Sequence, residues 1–127
     1  MVIDTDVLIW YLRGNDKARK LIENLDDFSI SVITYMELVQ GMRNKKELNM
    51  LRQALHAWHT RILYISEDIS AKAMFAVEQH FLSHSMQLAD ALIGATAISY
   101  GLPLLTGNEK HYKIMKDIQL KRFRPHS

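Results

Sequence analysis

The sequence predicts an α/β fold: a three-layer α/β/α sandwich in which a parallel sheet of four to five strands lies between two layers of helices. Two observations predict it. Short apolar runs rich in β-branched residues alternate with helical patterns along the whole chain, and strands joined through helices pair in parallel. The 127 residues contain no repeat, low-complexity tract or linker, so residues 1–127 are expected to form a single domain.

The first elements follow one another closely. A short strand is expected at Val2–Ile3, and a helix at Thr5–Leu12 follows it directly. The Arg13–Asn15 segment contains a glycine and should end this helix. Asp16 is then expected to cap a second helix that runs through Leu25, since apolar residues recur on one of its faces.

The next two elements are a buried strand and a capped helix. The strand is expected at Phe28–Ser31. Thr34 is expected to cap a helix that begins at Tyr35, and Glu37 stands three residues after Thr34, as the partner acid does in a capping box. Gly41 is expected to end this helix.

The middle of the chain continues the alternation. An amphipathic helix is expected at about Lys45–Ala57 and a third strand at Arg61–Ile65. Ser66 is expected to cap a long helix that reaches about Leu82. A linker over Ser83–Leu88 follows this helix.

The C-terminal third begins with the most apolar helix of the chain. Ala89–Tyr100 contains almost only apolar or small residues, so this helix is expected to be buried on all sides. Gly101 suits the position just after its end. The remaining elements are expected at Pro103–Leu105 (a fourth strand, ended by Thr106, Gly107 and Asn108), from Glu109 (a short helix) and at Gln119–Phe123 (a fifth strand).

Composition excludes several classes of site. The chain has no cysteine, which excludes disulfides, thiolate metal sites and cysteine nucleophiles, and favours a reducing, cytoplasmic setting. No apolar run is long enough to span a bilayer, and no signal peptide is recognisable at the N-terminus. A net charge of +2 is compatible with a polyanionic partner but too small to predict one.

Three acidic residues from distant segments occupy similar places next to buried elements. Asp4 ends the first strand, Glu37 follows the second, and Asp90 opens the apolar helix. Taken one at a time, each is explained as a helix-terminal acid, which the helix dipole or a capping box favours. Together they border buried segments without a basic neighbour in sequence, and buried carboxylates without a counter-charge are costly. This pattern predicts one shared site that a divalent cation neutralises.

Such a site has a definite chemistry. Mg²⁺ and Mn²⁺ prefer oxygen ligands, and a cluster of acids around such an ion is suited to hydrolysing a phosphodiester bond. Asp6 lies two residues after Asp4 and can face the same site, although on its own it is equally explained as a first-turn helix acid. Thr5 and Thr106 are candidates for holding carboxylates or waters in place around the cation.

Four segments of the chain form an ordered set of motifs. They read Val-Ile-Asp4-Thr-Asp6-Val-Leu-Ile, Ser-Val-Ile-Thr34-Tyr-Met-Glu37-Leu-Val-Gln-Gly41, Leu-Ala-Asp90-Ala-Leu-Ile-Gly-Ala-Thr-Ala and Leu-Leu-Thr106-Gly-Asn108. Together, in this order and at these separations, they resemble the PIN domain, and specifically the VapC-type toxins of toxin–antitoxin pairs. Each motif is weakly specific by itself, whereas the ordered set is strongly specific and extends over essentially the whole chain.

The resemblance implies a metal-dependent endoribonuclease that hydrolyses RNA by attack of water, with Asp4, Glu37 and Asp90 gathered about Mg²⁺ or Mn²⁺. It implies that Asp4 and Asp90 bind the metal directly, and that Glu37 binds it or orients the attacking water. It also implies a homodimer, and a cognate antitoxin protein that blocks the acidic pocket.

The fourth acid that many relatives carry after the last core strand is missing from the matching place. Asn108 stands there, and it can bind a water or a cation through its carbonyl oxygen but cannot act as a base. His111 occupies a position where an acid is often found, and Glu109 is a candidate substitute.

Three basic residues are candidate contacts for RNA phosphates. Arg13 follows the first helix, Arg43 follows the turn after Glu37, and Lys110 lies just beyond Asn108. For each of the three, a solvated helix face is an equally good interpretation.

Two other functions are alternatives. Phosphatases of the haloacid dehalogenase type also carry Asp-x-Asp after a first strand, and the first aspartate, here Asp4, is then the nucleophile. Only 21 residues follow Thr106, and Asp117 is the one aspartate among them, so the later paired acids of that class are missing. The second alternative is a non-catalytic PIN-like module that binds RNA or protein.

Overall fold

The computed structural model describes residues 1–83 and 86–126, in which five strands and seven helices form three layers. The sheet has the strand order β3-β2-β1-β4-β5, and each neighbouring pair in it is parallel. The predicted sandwich with a parallel sheet is confirmed, whereas His84 and Ser85 of the predicted linker lie outside the described residues.

In chain order the elements are β1 (Val2–Ile3), α1 (Thr5–Leu12), α2 (Asp16–Glu23), β2 (Ser29–Ser31), α3 (Val32–Gln40), α4 (Lys45–Ala57), β3 (Arg61–Leu63), α5 (Glu67–His80), α6 (Leu88–Ser99), β4 (Leu104–Thr106), α7 (Glu109–Tyr112) and β5 (Leu120–Arg122).

Successive residues of the strands supply two separate cores. Val2 and Leu104 face one side of the sheet, where they pack with residues of α5, α6 and α7. Ile3 and Leu105, their neighbours in sequence, face the other side and pack with residues of α1, α2, α3 and α4. The alternation follows from the pleat of the strands. Burial on both faces explains why β1 and the first two residues of β4 are apolar without alternation.

The strand order reverses direction at β1. After β1 the chain adds β2 and then β3 on one side, and it returns to add β4 and β5 on the other side. The carboxyl ends of β1 and β4 therefore border the crevice at which α/β sheets bind ligands. Asp4 directly follows β1 and Thr106 ends β4, so the topology brings these two predicted site residues to the same crevice.

The helix that contains Glu37 begins three residues earlier than predicted. α3 starts at Val32 and its N-cap is Ser31, because Ile33 N–H donates to Ser31 Oγ at 3.1 Å. Thr34 is a fully buried residue within this helix, so the predicted capping box between Thr34 and Glu37 is wrong. Since β2 leads directly into α3, the last residue of the strand also serves as the cap of the helix. The Glu37 carboxylate is consequently available to another partner.

The other boundaries differ from the predicted ones by one or two residues. Asn15, rather than Asp16, caps α2, because Ala18 N–H donates to Asn15 Oδ1 at 2.9 Å. α2 and α5 end at Glu23 and His80, each two residues before its predicted end. Such differences concern only the ends of elements, where caps compete with one another.

The apolar helix α6 places Asp90 in its first turn. The N-cap is Gln87, and a capping box is closed because Gln87 N–H donates to Asp90 Oδ2 at 3.2 Å. Gly101 follows the helix with a φ of +64°, the left-handed conformation that glycine supplies after a C-cap. α6 has 12 residues, and within residues 1–83 and 86–126 no helix combines the length and the apolar character needed to cross a membrane.

Candidate active site

Asp4 is a buried acid, with 4% of its surface exposed, and it is held rigidly. Its N–H donates to Leu105 O at 2.9 Å, which extends the pairing of β1 with β4 by one residue. Its carboxylate accepts from Thr5 N–H at Oδ1 and from the Thr106 hydroxyl at Oδ2, both at 2.8 Å. Asn108 N–H in turn donates to Thr106 Oγ1 at 2.9 Å. The start of α1 and the loop after β4 therefore fix the orientation of this carboxylate.

Asp6 lies beside Asp4 in the first turn of α1. Gly107 N–H donates to Asp6 Oδ2 at 2.9 Å. This approach requires glycine, because a Cβ at position 107 would lie 2.6 Å from Asp6 Oδ2. Asp6 Oδ1 is buried and has no hydrogen-bond partner within the part of the chain that the structure describes. A buried carboxylate oxygen without a donor is costly, and a bound cation removes that cost.

Burial raises the pKa of both aspartates. The pKa of Asp4 is raised to about 7, first by burial and second by the negative charge of Asp6. Burial raises the pKa of Asp6 as well. The strongest donors to the two carboxylates, from Thr5, Thr106 and Gly107, are uncharged, so they oppose these shifts only in part. The pair therefore concentrates negative charge that a divalent cation would neutralise.

Glu37 joins the site through Thr5. Thr5 Oγ1 lies 2.7 Å from Glu37 Oε1 and 2.9 Å from Thr34 Oγ1. Because a hydroxyl has a single proton, Thr5 donates it to Glu37 and accepts a hydrogen bond from Thr34. α3 thus holds the Glu37 carboxylate against the residue that immediately follows Asp4.

Asp90 enters the site from the opposite layer of helices. Its Oδ1 lies 3.4 Å from the Tyr112 hydroxyl, and its Oδ2 lies 3.4 Å from His111 Nδ1. The Asp90 side chain is 17% exposed, so solvent reaches it. Tyr112 and His111 both belong to α7, which follows directly after β4. The short helix α7 therefore links the first turn of α6 to the carboxyl ends of the strands.

Tyr112 is the residue of this site that the sequence did not reveal. It is fully buried, and its hydroxyl interacts with both Asp4 and Asp90. Burial, followed by the charges of these two carboxylates, raises the pKa of the phenol, so the hydroxyl stays protonated and donates. The available signal was a tyrosine four residues, or one helical turn, after Asn108.

The candidates for the fourth acid lie at the edge of this site. The Asn108 side chain is exposed, and it is the backbone N–H of Asn108 that enters the hydrogen-bond network through Thr106. Glu109 forms an ion pair with Arg122, since its Oε1 lies 2.6 Å from Arg122 Nε. Neither side chain is therefore presented to the aspartates as a free carboxylate.

The three basic candidates occupy different surroundings. Lys110 is exposed on α7, next to His111. Arg13 is exposed at the end of α1 that is remote from Asp4. Arg43 is exposed beyond α3, and its guanidinium donates twice to Glu47 Oε2, at 2.8 and 3.1 Å.

The donors of this corner suit a hard divalent cation. Carboxylate oxygens are the ligands that Mg²⁺ and Mn²⁺ prefer, and the unpaired Asp6 Oδ1 marks a place that lacks positive charge. Among residues 1–83 and 86–126, no three side chains of the His, Asp or Glu type already enclose a position for a metal ion. A cation here would thus use one or two carboxylates and keep several waters, as Mg²⁺ ordinarily does.

Comparison with known proteins identifies the family of this chain. Residues 1–117 match the family model described as PIN domain. The chain is 30% identical to ribonuclease VapC1 of Methanocaldococcus jannaschii, over 95% of this chain and 85% of that protein, and 31% identical to ribonuclease VapC19 of Mycobacterium tuberculosis, over 93% and 96%. A chain in a solved toxin–antitoxin complex from Klebsiella pneumoniae superposes with a TM-score of 0.73 at 28% identity, covering 99% of this chain and 98% of that one. The chain therefore belongs to the PIN domain family, among the relatives of the VapC ribonucleases.

Proposed function

We propose that this PIN domain is a metal-dependent endoribonuclease of the VapC type, which hydrolyses phosphodiester bonds in RNA as the toxin of a toxin–antitoxin pair. The observation that carries the proposal is the network at the carboxyl ends of β1 and β4, in which Asp4 and Asp6 are neighbours, Thr5 links them to Glu37, and Tyr112 links them to Asp90. The names of the VapC ribonucleases support RNA as the substrate.

Asp4 and Asp90 are the proposed direct ligands of Mg²⁺ or Mn²⁺. A cation bound there polarises the phosphoryl oxygen and lowers the pKa of a water molecule. Thr5 N–H and the Thr106 hydroxyl each engage one oxygen of Asp4, and each oxygen retains a lone pair for the cation. These donors orient Asp4 before the cation arrives, so its binding requires little rearrangement.

Glu37 and Asp6 are proposed to act on water rather than on the phosphate. Glu37 is partly exposed, and because Thr5 holds Oε1, the second oxygen is available to orient the attacking water or to bind the cation. Asp6 is held by Gly107 at Oδ2, and its negative charge beside Asp4 would help to hold a hydrated cation. Asn108, whose side chain is exposed, contributes an amide that contacts such a water.

The basic residues are proposed to contact RNA phosphates to unequal extents. Lys110 lies on α7 together with His111 and Tyr112, so it is the basic candidate nearest to the acids. Arg13 lies at the other end of α1, which spans about 12 Å at roughly 1.5 Å per residue. Arg43 is already paired with Glu47. We therefore assign the main phosphate contact to Lys110 and weaker ones to Arg13 and Arg43.

The proposed protein partners are a cognate antitoxin and a second copy of this chain. The toxin–antitoxin complex from Klebsiella pneumoniae, which has the same fold, supports the antitoxin. Ile9 and Leu12 of α1 and Met36 of α3 expose apolar surface on one helical layer, as expected where another protein binds.

A metal requirement tests the proposed activity. We expect the purified chain to cleave RNA with Mg²⁺ or Mn²⁺ and to lose cleavage in excess chelator, because Asp4 and Asp90 act only through the cation. Asp90→Asn should lower the cleavage rate by on the order of 10²- to 10³-fold. Asp26→Asn, which alters an exposed loop acid, should have no effect. Gel analysis of a labelled RNA under single-turnover conditions gives these rates, and undiminished cleavage in chelator would contradict the proposal.

A second prediction concerns the Tyr112 phenol, which contacts both Asp90 and Asp4. Tyr112→Phe should keep the fold, because it removes only one oxygen from a buried ring, and should weaken Mn²⁺ binding roughly tenfold because Asp90 and Asp4 lose a shared donor. Mn²⁺ affinity is measured by titration calorimetry, with Tyr64→Phe at an exposed position as the control. An unchanged Mn²⁺ affinity in Tyr112→Phe would show that this contact does not orient the ligands.

The two alternative functions differ from the proposed ribonuclease in what they require of Asp4 and in what they predict for RNA cleavage. Asp4 is unsuited to be a phosphatase nucleophile, because it is buried and both its oxygens accept hydrogen bonds. Membership of the PIN domain family also leaves no support for that alternative. A non-catalytic module would bind RNA without cleaving it, and no cleavage would then be lost in Asp90→Asn.

A further inference from the structure

We propose that Arg122 binds a backbone phosphate of the RNA substrate, in addition to the phosphate assigned to Lys110, and so fixes where the RNA strand crosses the site. This role rests on the proposed function, because it requires RNA as the substrate. Arg122 is the last residue of β5, and it is not among the three basic residues that the sequence singled out.

The register of the sheet places Arg122 in one row with two residues of the acidic site. Thr106 is the register partner of Arg122. Asp4 continues the pairing of β1 with β4 and accepts a hydrogen bond from the Thr106 hydroxyl at 2.8 Å. Neighbouring strands lie about 4.8 Å apart, so the Cα atoms of Asp4 and Arg122 are about 10 Å apart across the carboxyl ends of the strands.

The three side chains of this row lie on the same face of the sheet. The residue two positions before each of them is apolar and packs into the core formed with α5, α6 and α7: Val2, Leu104 and Leu120. Since side chains alternate along a strand, Asp4, Thr106 and Arg122 are directed toward that same layer. It is also the layer from which α6 supplies Asp90. Arg122 therefore stands at the rim of the acidic site.

One ion pair holds Arg122 in place and leaves most of its donors unused. Arg122 Nε lies 2.6 Å from Glu109 Oε1. A guanidinium also carries N–H donors on both terminal nitrogens, and within residues 1–83 and 86–126 those donors have no partner. The Arg122 side chain is 56% exposed, so a ligand can reach them. Such a planar fork of donors binds a phosphate through two of its oxygens.

The charges on the two sides of Arg122 favour a polyanion on the β5 side of the site. No acidic residue follows Asp117 in the sequence, whereas three basic residues do: Lys121, Arg122 and Arg124. The phosphates of an RNA strand are repelled by the acids of the site and attracted to this basic segment. A strand that reaches the acids is therefore held on the β5 side, where Arg122 presents its guanidinium.

Arg122→Gln and Lys121→Gln form a matched pair of variants. Both remove one positive charge from an exposed position of β5. Lys121 is directed to the opposite face of the sheet, as is Phe123, which packs in the other core. We expect Arg122→Gln to weaken binding of single-stranded RNA about tenfold and Lys121→Gln to weaken it less than about twofold. Fluorescence anisotropy measures binding of a labelled oligouridylate of about ten nucleotides in excess chelator, in which the proposed cleavage does not occur.

The salt dependence of binding identifies a direct phosphate contact. For a single strand, the logarithm of the binding constant falls with that of the salt concentration by about 0.7 for each phosphate contacted. Arg122→Gln should reduce this slope by about 0.7, and Lys121→Gln should change it by less than about 0.2. In cleavage with Mn²⁺, Arg122→Gln should raise KM about tenfold and lower kcat less than about twofold, because the contact is made equally before and during the reaction.

Glu109→Gln separates phosphate binding from a structural role of the ion pair. If Arg122 acted only by joining β5 to α7, loss of the Glu109 charge would weaken RNA binding as much as loss of the Arg122 charge. We expect Glu109→Gln to bind RNA at least as tightly as the wild type, because a negative charge next to the phosphate is removed. A loss in Glu109→Gln equal to that in Arg122→Gln would overturn the role of Arg122.

The outcomes distinguish this role from the proposed function. RNA cleavage in which Arg122→Gln and Lys121→Gln behave alike would overturn the role of Arg122 and leave the proposed ribonuclease intact. RNA binding that Arg122→Gln weakens, without cleavage in Mn²⁺, would support the phosphate contact and contradict the proposed function. A wild-type chain that neither binds nor cleaves RNA would contradict both.

Discussion

Asp4→Asn is expected to reduce RNA cleavage by on the order of 10³-fold while leaving the fold intact. The amide oxygen still accepts from Thr5 N–H. The NH₂ group donates to Thr106 Oγ1, and the Thr106 hydroxyl rotates so that it no longer donates to position 4. What is lost is the negative charge that binds the cation. Single-turnover cleavage measured in saturating Mn²⁺, with Asp27→Asn at an exposed loop position as the control, gives the ratio. A decrease of less than about tenfold would show that Asp4 is not a metal ligand.

The same substitution should stabilise the metal-free protein at neutral pH. The pKa of Asp4 is about 7 in the folded state and 3.8 in the reference state, so the folded state binds more protons between these values. The contribution of Asp4 to stability is therefore most favourable below about pH 4 and becomes unfavourable as the pH rises toward 7. Asp4→Asn removes this loss, which is on the order of 2 to 4 kcal/mol at pH 7.5. Urea unfolding in chelator at pH 5 and 7.5 measures it, and a parallel pH dependence in both proteins would contradict it.

The largest loss of stability is expected from Gly94→Val. Gly94 lies in α6, and an added Cβ there would overlap Met115 Sδ and approach Tyr112 Cδ1 to 3.3 Å. Tyr112 is fully buried and Met115 almost so, and the two branches of valine require both to shift. We expect a loss of about 2–3 kcal/mol in the free energy of unfolding. Because displacement of Tyr112 also disturbs Asp90, Mn²⁺ binding should weaken as well.

A glycine in an open position provides the comparison for Gly94→Val. A Cβ at Gly41, the exposed C-cap of α3, would meet only backbone oxygens, at 3.4 and 3.8 Å. Gly41→Ala should therefore change the unfolding free energy by less than about 1 kcal/mol. Equal midpoints of urea unfolding for wild type and Gly94→Val would show that the contact between α6 and α7 is not tightly packed.

The order of the elements was predictable because β1 to β4 each contain apolar residues and are each followed by a helix. Asp4 and Thr106 could be placed at strand ends from that pattern alone, and parallel pairing then brought them to one edge. The start of α3 could not be predicted, because Ser31 and Thr34 are both good caps and only the end of β2 decides between them. Because the predicted start of the helix was wrong, Glu37 was paired with the nearby Thr34, whereas its partner in the structure is Thr5.

Contacts between side chains of different helices could not be predicted from the sequence. The contact of Tyr112 with Asp90 spans 22 residues and depends on the packing of α7 against α6. The bond from Thr5 to Glu37 spans 32 residues and crosses from one helix to another. Periodicity describes each helix by itself, so it identifies which residues are buried but not which partners they meet across the core.

The capping box of α6 makes one carboxylate serve two purposes. Asp90 closes the first turn of its helix through Gln87, and the same oxygen faces the position proposed for the cation. If a contact at Gln87 shifts the Asp90 carboxylate, it changes the free energy of cation binding, and cation binding then changes the free energy of that contact by the same amount. A protein bound at the exposed Gln87 turn would in that case alter the affinity for metal without touching the catalytic crevice.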